Sequence, residues 1–224
     1  MISIIVPVLN EESTISKLLE QLNRLRGDKE IIVVDGGSSD RTVEIAGNMA
    51  VVVESERGRA NQMNAGASMA KGDILWFVHS DSIVDENSIS AIEVAISEGY
   101  IGGGFSIYFY DYTDAVIRFI TWTSNWRAKH SGMYYGDQSL FLRRDLFESI
   151  GGYPKLALME DFEISLRLRK AGKMKLLPER IGSSARRFKS GGSLRTLLFM
   201  HKIKILYVLG KDTEELNKMY RECR

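Results

Sequence analysis

The chain has 224 residues, 44% of them apolar and 26% charged, which suits one substantial globular core or one domain with an appendage. A single cysteine, Cys223, excludes an internal disulfide and a cysteine-rich metal site, and fits a reducing, cytoplasmic compartment. No uncharged apolar run of about 18 residues predicts a transmembrane span, and the first strand begins at once, leaving no room for a signal peptide.

The net charge of +1 hides an asymmetry. Residues 1–166 hold 14 Lys and Arg against 24 Asp and Glu, whereas residues 167–224 hold 16 against 5. The acidic part suits metal binding, base and ribose recognition and proton abstraction. The basic part suits phosphates, an anionic membrane surface, or simply a solvated face.

In chain order, Ile2–Leu9 reads as a buried strand and Ser13–Leu25 as a helix, with Ile15, Leu18, Leu19 and Leu22 at helical spacing. Ile31–Asp35 is a second buried strand, and Asp40 is expected to cap a helix reaching about Asn48. Val51–Val53 is a short third strand; Arg59–Ala70 is helical, with Gly72 as its stop. Ile74–His79 is a fourth strand, followed by a helix over Asn87–Ser97. This alternation predicts a parallel, doubly wound α/β sheet. It then breaks. Three glycines, Gly102 to Gly104, lead into an aromatic strand over Phe105–Tyr110, then a helix over Asp114–Lys129 and a strand over Ser139–Arg143. A loop at Gly151–Pro154, a helix over Glu160–Lys170, a basic loop over Ser183–Gly192 and two helices, Leu194–Leu209 and Thr213–Arg221, complete the chain.

In parallel sheets, ligands bind beyond the carboxyl ends of the strands. Glu11, Asp35 and Asp81 each follow a predicted strand, so three acids converge on one edge. One polar residue there is expected of any loop; three are harder to dismiss. Asp81 can bind a divalent cation, magnesium or manganese, whose other ligands are phosphate oxygens and water. His79 is a further candidate ligand, though its plainer role is to close a buried strand. Arg59 opens a helix in Arg57-Gly58-Arg59, a pattern that favours phosphate but is common. Glu160 and Asp161 either serve the helix dipole or place Asp161 as a general base.

Taken in order, these segments resemble glycosyltransferase family 2 enzymes. The most specific stretches are Ile4-Ile5-Val6-Pro7-Val8-Leu9-Asn10-Glu11 and Val33-Val34-Asp35-Gly36-Gly37-Ser38-Ser39-Asp40, followed by Arg59 to Gly66, Asp81 and Glu160-Asp161. A small, soluble bacterial subgroup is matched by Gly136-Asp137-Gln138 and by Ala185-Arg186-Arg187-Phe188. The resemblance implies a GT-A fold: a Rossmann-like, mostly parallel central sheet with flanking helices and a helical C-terminal extension. Residues 1–192 would form the transferase domain, with a nucleotide-binding half to about residue 100 and an acceptor half after it; 193–224 would be the extension.

It further implies inverting transfer of a single sugar from a nucleotide-diphosphate sugar, with a UDP-sugar favoured, to an unidentified acceptor hydroxyl, a lipid-linked one among the candidates. Pro7, Val8 and Glu11 would line the base and ribose pocket, Asp35 would contact the base and Asp40 would support its loop. Arg59 and Asn64 would lie near the donor, and Gly136, Asp137 and Gln138 near the acceptor. Asp81 would bind metal, Asp161 would be the base beside Glu160, and Arg186 and Arg187 would hold the diphosphate. The metal motif departs from the family pattern, with His79 where its first acid stands.

Two other readings compete: a nucleotidyltransferase, whose glycine-rich, arginine-containing loop is missing after Val6, and a non-catalytic nucleotide-sugar-binding or membrane-scaffold module. No nucleic-acid partner is expected. The basic, apolar segment Leu194–Leu209 could lie peripherally on the inner face of a membrane. The reading adopted for it is packing against the domain or a second copy.

Overall fold

The computed structural model describes residues 1–222, so Cys223 lies outside the described residues. Seven strands form one sheet: β1 (Ile2–Val8), β2 (Lys29–Asp35), β3 (Val51–Glu54), β4 (Ile74–Phe77), β5 (Gly102–Phe109), β6 (Phe141–Arg143) and β7 (Met174–Ser183). Their order is β3-β2-β1-β4-β6-β5-β7. β1, β2, β3 and β4 pair in parallel, as do β5 and β7. β6 is antiparallel to both β4 and β5. Two reversals restore the direction, so every strand except β6 runs the same way.

The helices are α1 (Ile15–Arg24), α2 (Thr42–Gly47), α3 (Arg59–Met69), α4 (Ser88–Ser97), α5 (Ala115–Ser131), α6 (Arg144–Ser149), α7 (Glu160–Ala171), α8 (Arg186–Gly191), α9 (Ser193–Val208) and α10 (Thr213–Glu222). Successive side chains of a strand point to opposite faces, and the central strands are buried on both. Ile2, Ile4 and Val6 pack with Leu18, Leu19, Leu22, Ile89 and Ile92 from α1 and α4. Ile5, Ile32 and Val34 pack on the other face with Ala60, Met63 and Ala67 of α3 and with Ile164 and Leu168 of α7. This explains why the runs Ile4–Val8 and Ile74–Phe77 are continuously apolar rather than alternating.

Several sequence-based expectations need correction. Asp40 is not the N-cap of α2; Arg41 is, and Asp40 instead accepts the backbone N–H of Thr42 at 3.0 Å. Gly72 does not end α3, whose C-cap is Ala70. A Cβ at Gly72 would lie 2.6 Å from the Met1 carbonyl oxygen, so close passage beneath β1 explains that glycine. Gly102 to Gly104 belong to β5 itself, because Cβ atoms there would collide with β6, β7 and Tyr134. The segment read as a basic loop is the end of β7 followed by α8. β7 was hidden by Pro178 and its charges. It is an edge strand, and its register shifts between the Phe105–Leu177 and Ser106–Arg180 pairs, so Pro178 falls in a bulge where no ladder bond is lost.

Gly66 sets how closely α3 approaches the sheet: a Cβ there would lie 2.5 Å from Ile5 Cγ2 and 2.8 Å from Val34 Cγ2. Alanine for glycine inside a helix gains about 1 kcal/mol by propensity, but overpacking a core costs about 1–3 kcal/mol. Ile5 and Val34 are locked in central strands, so the clash wins. Gly66→Ala is expected to lower the melting temperature by several degrees. Gly47→Ala in α2, with nothing within 4 Å, should leave it unchanged or raised.

Candidate active site

The carboxyl ends of the six like-directed strands share one edge of the sheet. Because β6 runs in reverse, the segment that precedes it arrives at the same edge, and that segment is the 3₁₀ turn Gly136–Gln138. The N-termini of α3 and α7, which follow β3 and precede β7, bring Arg59, Glu160 and Asp161 there too. Among the described residues, the non-glycine residues with positive φ are Asn10 (55°), Ser139 (51°) and Met159 (73°), all on this edge. Backbone held in a sparsely populated conformation is a marker of functional sites.

The ends of β1 and β2 are tied into one unit. Asn10 N–H donates to Ser38 Oγ at 2.9 Å, and Ser39 N–H donates to Asn10 Oδ1 at 2.8 Å. Glu11 N–H donates to Thr42 Oγ1, and Asp40 accepts Glu12 N–H at 3.2 Å. The Thr42 hydroxyl, which contributes most, with the Thr42 and Glu12 N–H groups, donates to Asp40 and holds its carboxyl below the usual carboxylate range. Asp35 is buried, and its carboxylate accepts the N–H groups of Gly37 and Ser38 and the Ser38 hydroxyl. It thus fixes the loop that Gly36 and Gly37 open. Pro7 is half-buried and Val8 buried, and the Val8 carbonyl accepts Gln62 Nε2 at 2.6 Å. Gln62 also donates to the Val34 carbonyl, clamping the two strand ends. Sequence reasoning missed Gln62, whose position in a helical run carries no sign of it.

Glu11 and Asp81 face a shared cation. Arg186 Nη2 lies 3.5 Å from Glu11 Oε1 and 3.9 Å from Asp81 Oδ2. Burial pushes the Asp81 carboxyl up; Arg186 opposes this and Glu11 adds to it. The Tyr110 hydroxyl donates to the Asp81 carbonyl oxygen at 3.1 Å. His79 is held neutral, its pKa pushed down to about 3 by burial and by Arg59. Its ring lies against Gly136, where a Cβ would sit 2.9 Å from Nε2. No three His, Cys, Asp or Glu side chains converge to cage a metal among the described residues. One carboxylate at the carboxyl edge of the sheet does fit magnesium or manganese, which take one or two carboxylates and complete their shell with substrate oxygens and water.

The third group surrounds α7. Asp161 Oδ2 accepts the Gly136 N–H at 3.0 Å, and Oδ1 accepts the Phe162 N–H at 2.7 Å. Glu160 is buried, and Arg59 Nη1 donates to it at 3.3 Å. Burial pushes the Glu160 carboxyl up; Arg59 opposes and Asp161 reinforces the rise. Burial also raises Asp137, whose Oδ1 has no hydrogen-bond partner. Gln138 is fully buried and accepts Arg127 Nη2 at 2.8 Å, so it supports the turn from beneath.

Two expected site residues have other partners. Asn64 makes a reciprocal pair with the backbone of Tyr153, at 2.8 and 2.9 Å, and so anchors the Gly151–Pro154 turn. Arg187 donates to the Tyr220 hydroxyl and lies 4.0 Å over its ring, tying α8 to α10.

A carboxyl whose folded pKa is raised favours folding below its unfolded pKa, and loses that contribution as pH rises through the folded value. Removing Arg59 deepens this loss for Glu160. Arg59→Met is expected to cost about 2 kcal/mol in urea unfolding at about pH 8 and clearly less near pH 5. Adding Glu160→Gln should recover most of the difference.

Comparison with known proteins identifies the family and the fold. The profile of Glycosyl transferase family 2 matches residues 3–153. The PGL/p-HBAD biosynthesis glycosyltransferase of Mycobacterium bovis BCG is 28% identical over 188 residues, 75% of this chain and 69% of that protein. A mannosyltransferase from Pyrobaculum calidifontis, solved with GDP-Man and Mn2+, superposes with a TM-score of 0.66 at 20% identity over 91% of this chain. The chain spans only 64% of that structure's length. Glucosyl-3-phosphoglycerate synthase from Mycobacterium tuberculosis, solved with Mn2+ and UDP, gives 0.57 at 20% identity, covering 81% of this chain and 70% of that one. Since the matched region runs from the first strand to the turn that Asn64 anchors, on a sheet of the same topology, the chain belongs to glycosyl transferase family 2 and has the GT-A fold.

Proposed function

We propose that the protein is an inverting, non-processive glycosyltransferase that moves a hexosyl group from a nucleoside-diphosphate sugar, a UDP-sugar first among them, to an acceptor hydroxyl. The observation that carries this reading is the Asp161 carboxylate, oriented through Oδ2 by the Gly136 N–H at the edge where Glu11, Asp81 and Arg186 meet. In it, Asp161 takes the acceptor proton as the acceptor oxygen attacks the anomeric carbon. The bond to the diphosphate breaks on the opposite face, and its electron pair leaves with the nucleotide.

Each remaining residue has a part in this scheme. Arg186 stabilises the charge developing on the diphosphate. Asp81 would hold a divalent cation that neutralises the same charge when bound, as Mn2+ accompanies the nucleotide in the two solved transferases. The loops after β1 and β2, through Pro7, Val8, Glu11 and Asp35, would receive base and ribose, with Asp40 bracing them. Glu160 acts as a positioning residue: it orients Arg59, which sits beside His79 and Gly136. Asp137 would face the acceptor.

The Asp161→Asn variant tests the base. Asparagine can still accept the Gly136 N–H through its carbonyl oxygen and gives up only the contact with the neighbouring Phe162 N–H, so the orientation across the site is kept while the proton acceptor is lost. Turnover should fall by about 10²–10⁴-fold, with nucleoside-diphosphate binding by calorimetry unchanged. Undiminished turnover would remove Asp161 from the mechanism.

For the cation, UDP and GDP binding is to be followed by thermal shift with Mn2+ and with a chelator. Wild-type protein should bind one nucleotide more tightly with Mn2+, and Asp81→Asn should abolish that gain. An undiminished gain in the variant would place the cation elsewhere.

A further inference from the structure

α5 and α9 stand side by side outside the sheet. They are joined at their starts, where the Ser193 hydroxyl donates to Asp114 Oδ2 at 2.6 Å. Asp114 is the N-cap of α5, accepting the Ile117 N–H. Each helix buries one side and leaves the other in solvent with large apolar side chains on it. On α5 these are Phe119, Trp122 and Trp126, exposed by 54, 63 and 55%. On α9 the exposed stripe runs through Leu194, Leu198, Ile205 and Val208, and continues to Leu209 at its C-cap. The expectation that α9 packs its apolar side away therefore holds for only part of the helix: Thr196 and Ile203 are buried, and the stripe is not.

Single exposed apolar residues are normal, but rows of them on adjacent helices mark an interaction surface. The charge pattern selects the occupant. Arg118 and Lys129 border the aromatic row, and Arg195 and Lys202 border the aliphatic one, all exposed. Neither helix contains a single carboxylate. A two-fold dimer through this face would press like charges together with no acid to pair them. A nucleic acid would use the cations but leave the aliphatic row unmatched. An anionic bilayer surface matches all three features: aliphatic chains reach the acyl boundary, indoles sit at the headgroup level, and cations meet lipid phosphates. No helix among the described residues is long and apolar enough to cross a membrane, so the contact would be peripheral.

We propose that the exposed faces of α5 and α9 dock the protein onto an anionic lipid surface. The inward side of α9 grips the site: Lys204 Nζ donates to the Tyr135 hydroxyl at 2.8 Å, and the Tyr207 hydroxyl donates to Glu163 at 3.1 Å. Tyr135 precedes Gly136, and Glu163 lies two residues after Asp161. The docking helix is thus bolted to the helix that carries the candidate base and to the segment whose N–H orients it.

The tryptophans supply a direct test that needs no activity. The chain has three, and Trp76 is fully buried, so changes on membrane contact come from Trp122 and Trp126. The full chain is mixed at low salt with phosphatidylcholine vesicles, with and without about 30% phosphatidylglycerol. Co-sedimentation, a blue shift and quenching by brominated acyl chains are expected with the anionic vesicles only. Arg195→Gln with Lys202→Gln should weaken partitioning by about thirtyfold, and Trp122→Ser with Trp126→Ser by about tenfold or more. These sites are solvent-exposed, so the melting temperature should not move. Three results would overturn the proposal: no sedimentation with anionic vesicles, equal affinity for neutral ones, or a wild-type dimer in ultracentrifugation that Trp122→Ser dissociates.

Discussion

The direction of one three-residue strand decides where the chemistry can be. Had β6 run parallel to its neighbours, its leading segment would emerge at the amino-terminal edge of the sheet, far from Glu11, Asp35 and Asp81. Running in reverse, it delivers Gly136–Gln138 to their edge and presents the Gly136 N–H to Asp161. The same reversal lets β5 and β7 resume the common direction, so the ends of β7 and β4 face one another across Arg186, Asp81 and Tyr110. β6 is held in turn by Ser139, which donates to the Phe77 carbonyl and accepts the Trp76 indole N–H. The positive φ of Ser139 is thus held in place by two buried hydrogen bonds.

The edge is assembled against an electrostatic gradient. Asp81, Asp137 and Glu160 stand, with Glu11 and Asp161 beside them, where burial pushes their carboxyls toward neutrality. Arg59, Arg127 and Arg186 are interposed, one to each subset of acids, and the pKa directions record the contest: burial wins at Asp81, Asp137 and Glu160 despite the arginines. His79 loses its proton affinity chiefly through burial, and the Arg59 cation beside it adds to the loss.

Most of the scaffold was legible in the sequence, because buried parallel strands and amphipathic helices are written in residue type and period. Glu11, Asp35 and Asp81 could be placed on one edge for that reason alone, whereas Asp161 joined them only through the family resemblance. Illegible parts depend on partners distant in sequence. Nothing near Asn64 announces the Tyr153 backbone, and nothing near Gln62 announces the Val8 carbonyl. β7 was unreadable because an edge strand with a bulge tolerates the proline that argues against a central one. The exposed stripe of α9 has the same period as a buried one, and only the packed structure separates them.

The adjacent arginines at the start of α8 show how local chemistry then divides labour. Neighbouring helical positions point about 100° apart, and here Arg186 and Arg187 take different partners. Arg187 is committed, with its guanidinium over the Tyr220 ring and bonded to its hydroxyl. Arg186 is 60% exposed and stands 3.5 and 3.9 Å from two carboxylates, close enough for attraction but too far for good hydrogen bonds. Exposed ion pairs of this kind are worth about 0–1 kcal/mol, so little opposes their exchange for a stronger, bidentate contact with phosphate. In the proposed reaction, the weakness of its resting contacts would therefore suit Arg186, rather than Arg187, to follow a departing diphosphate. The firmness of its neighbour's contacts keeps the helix that carries it in place.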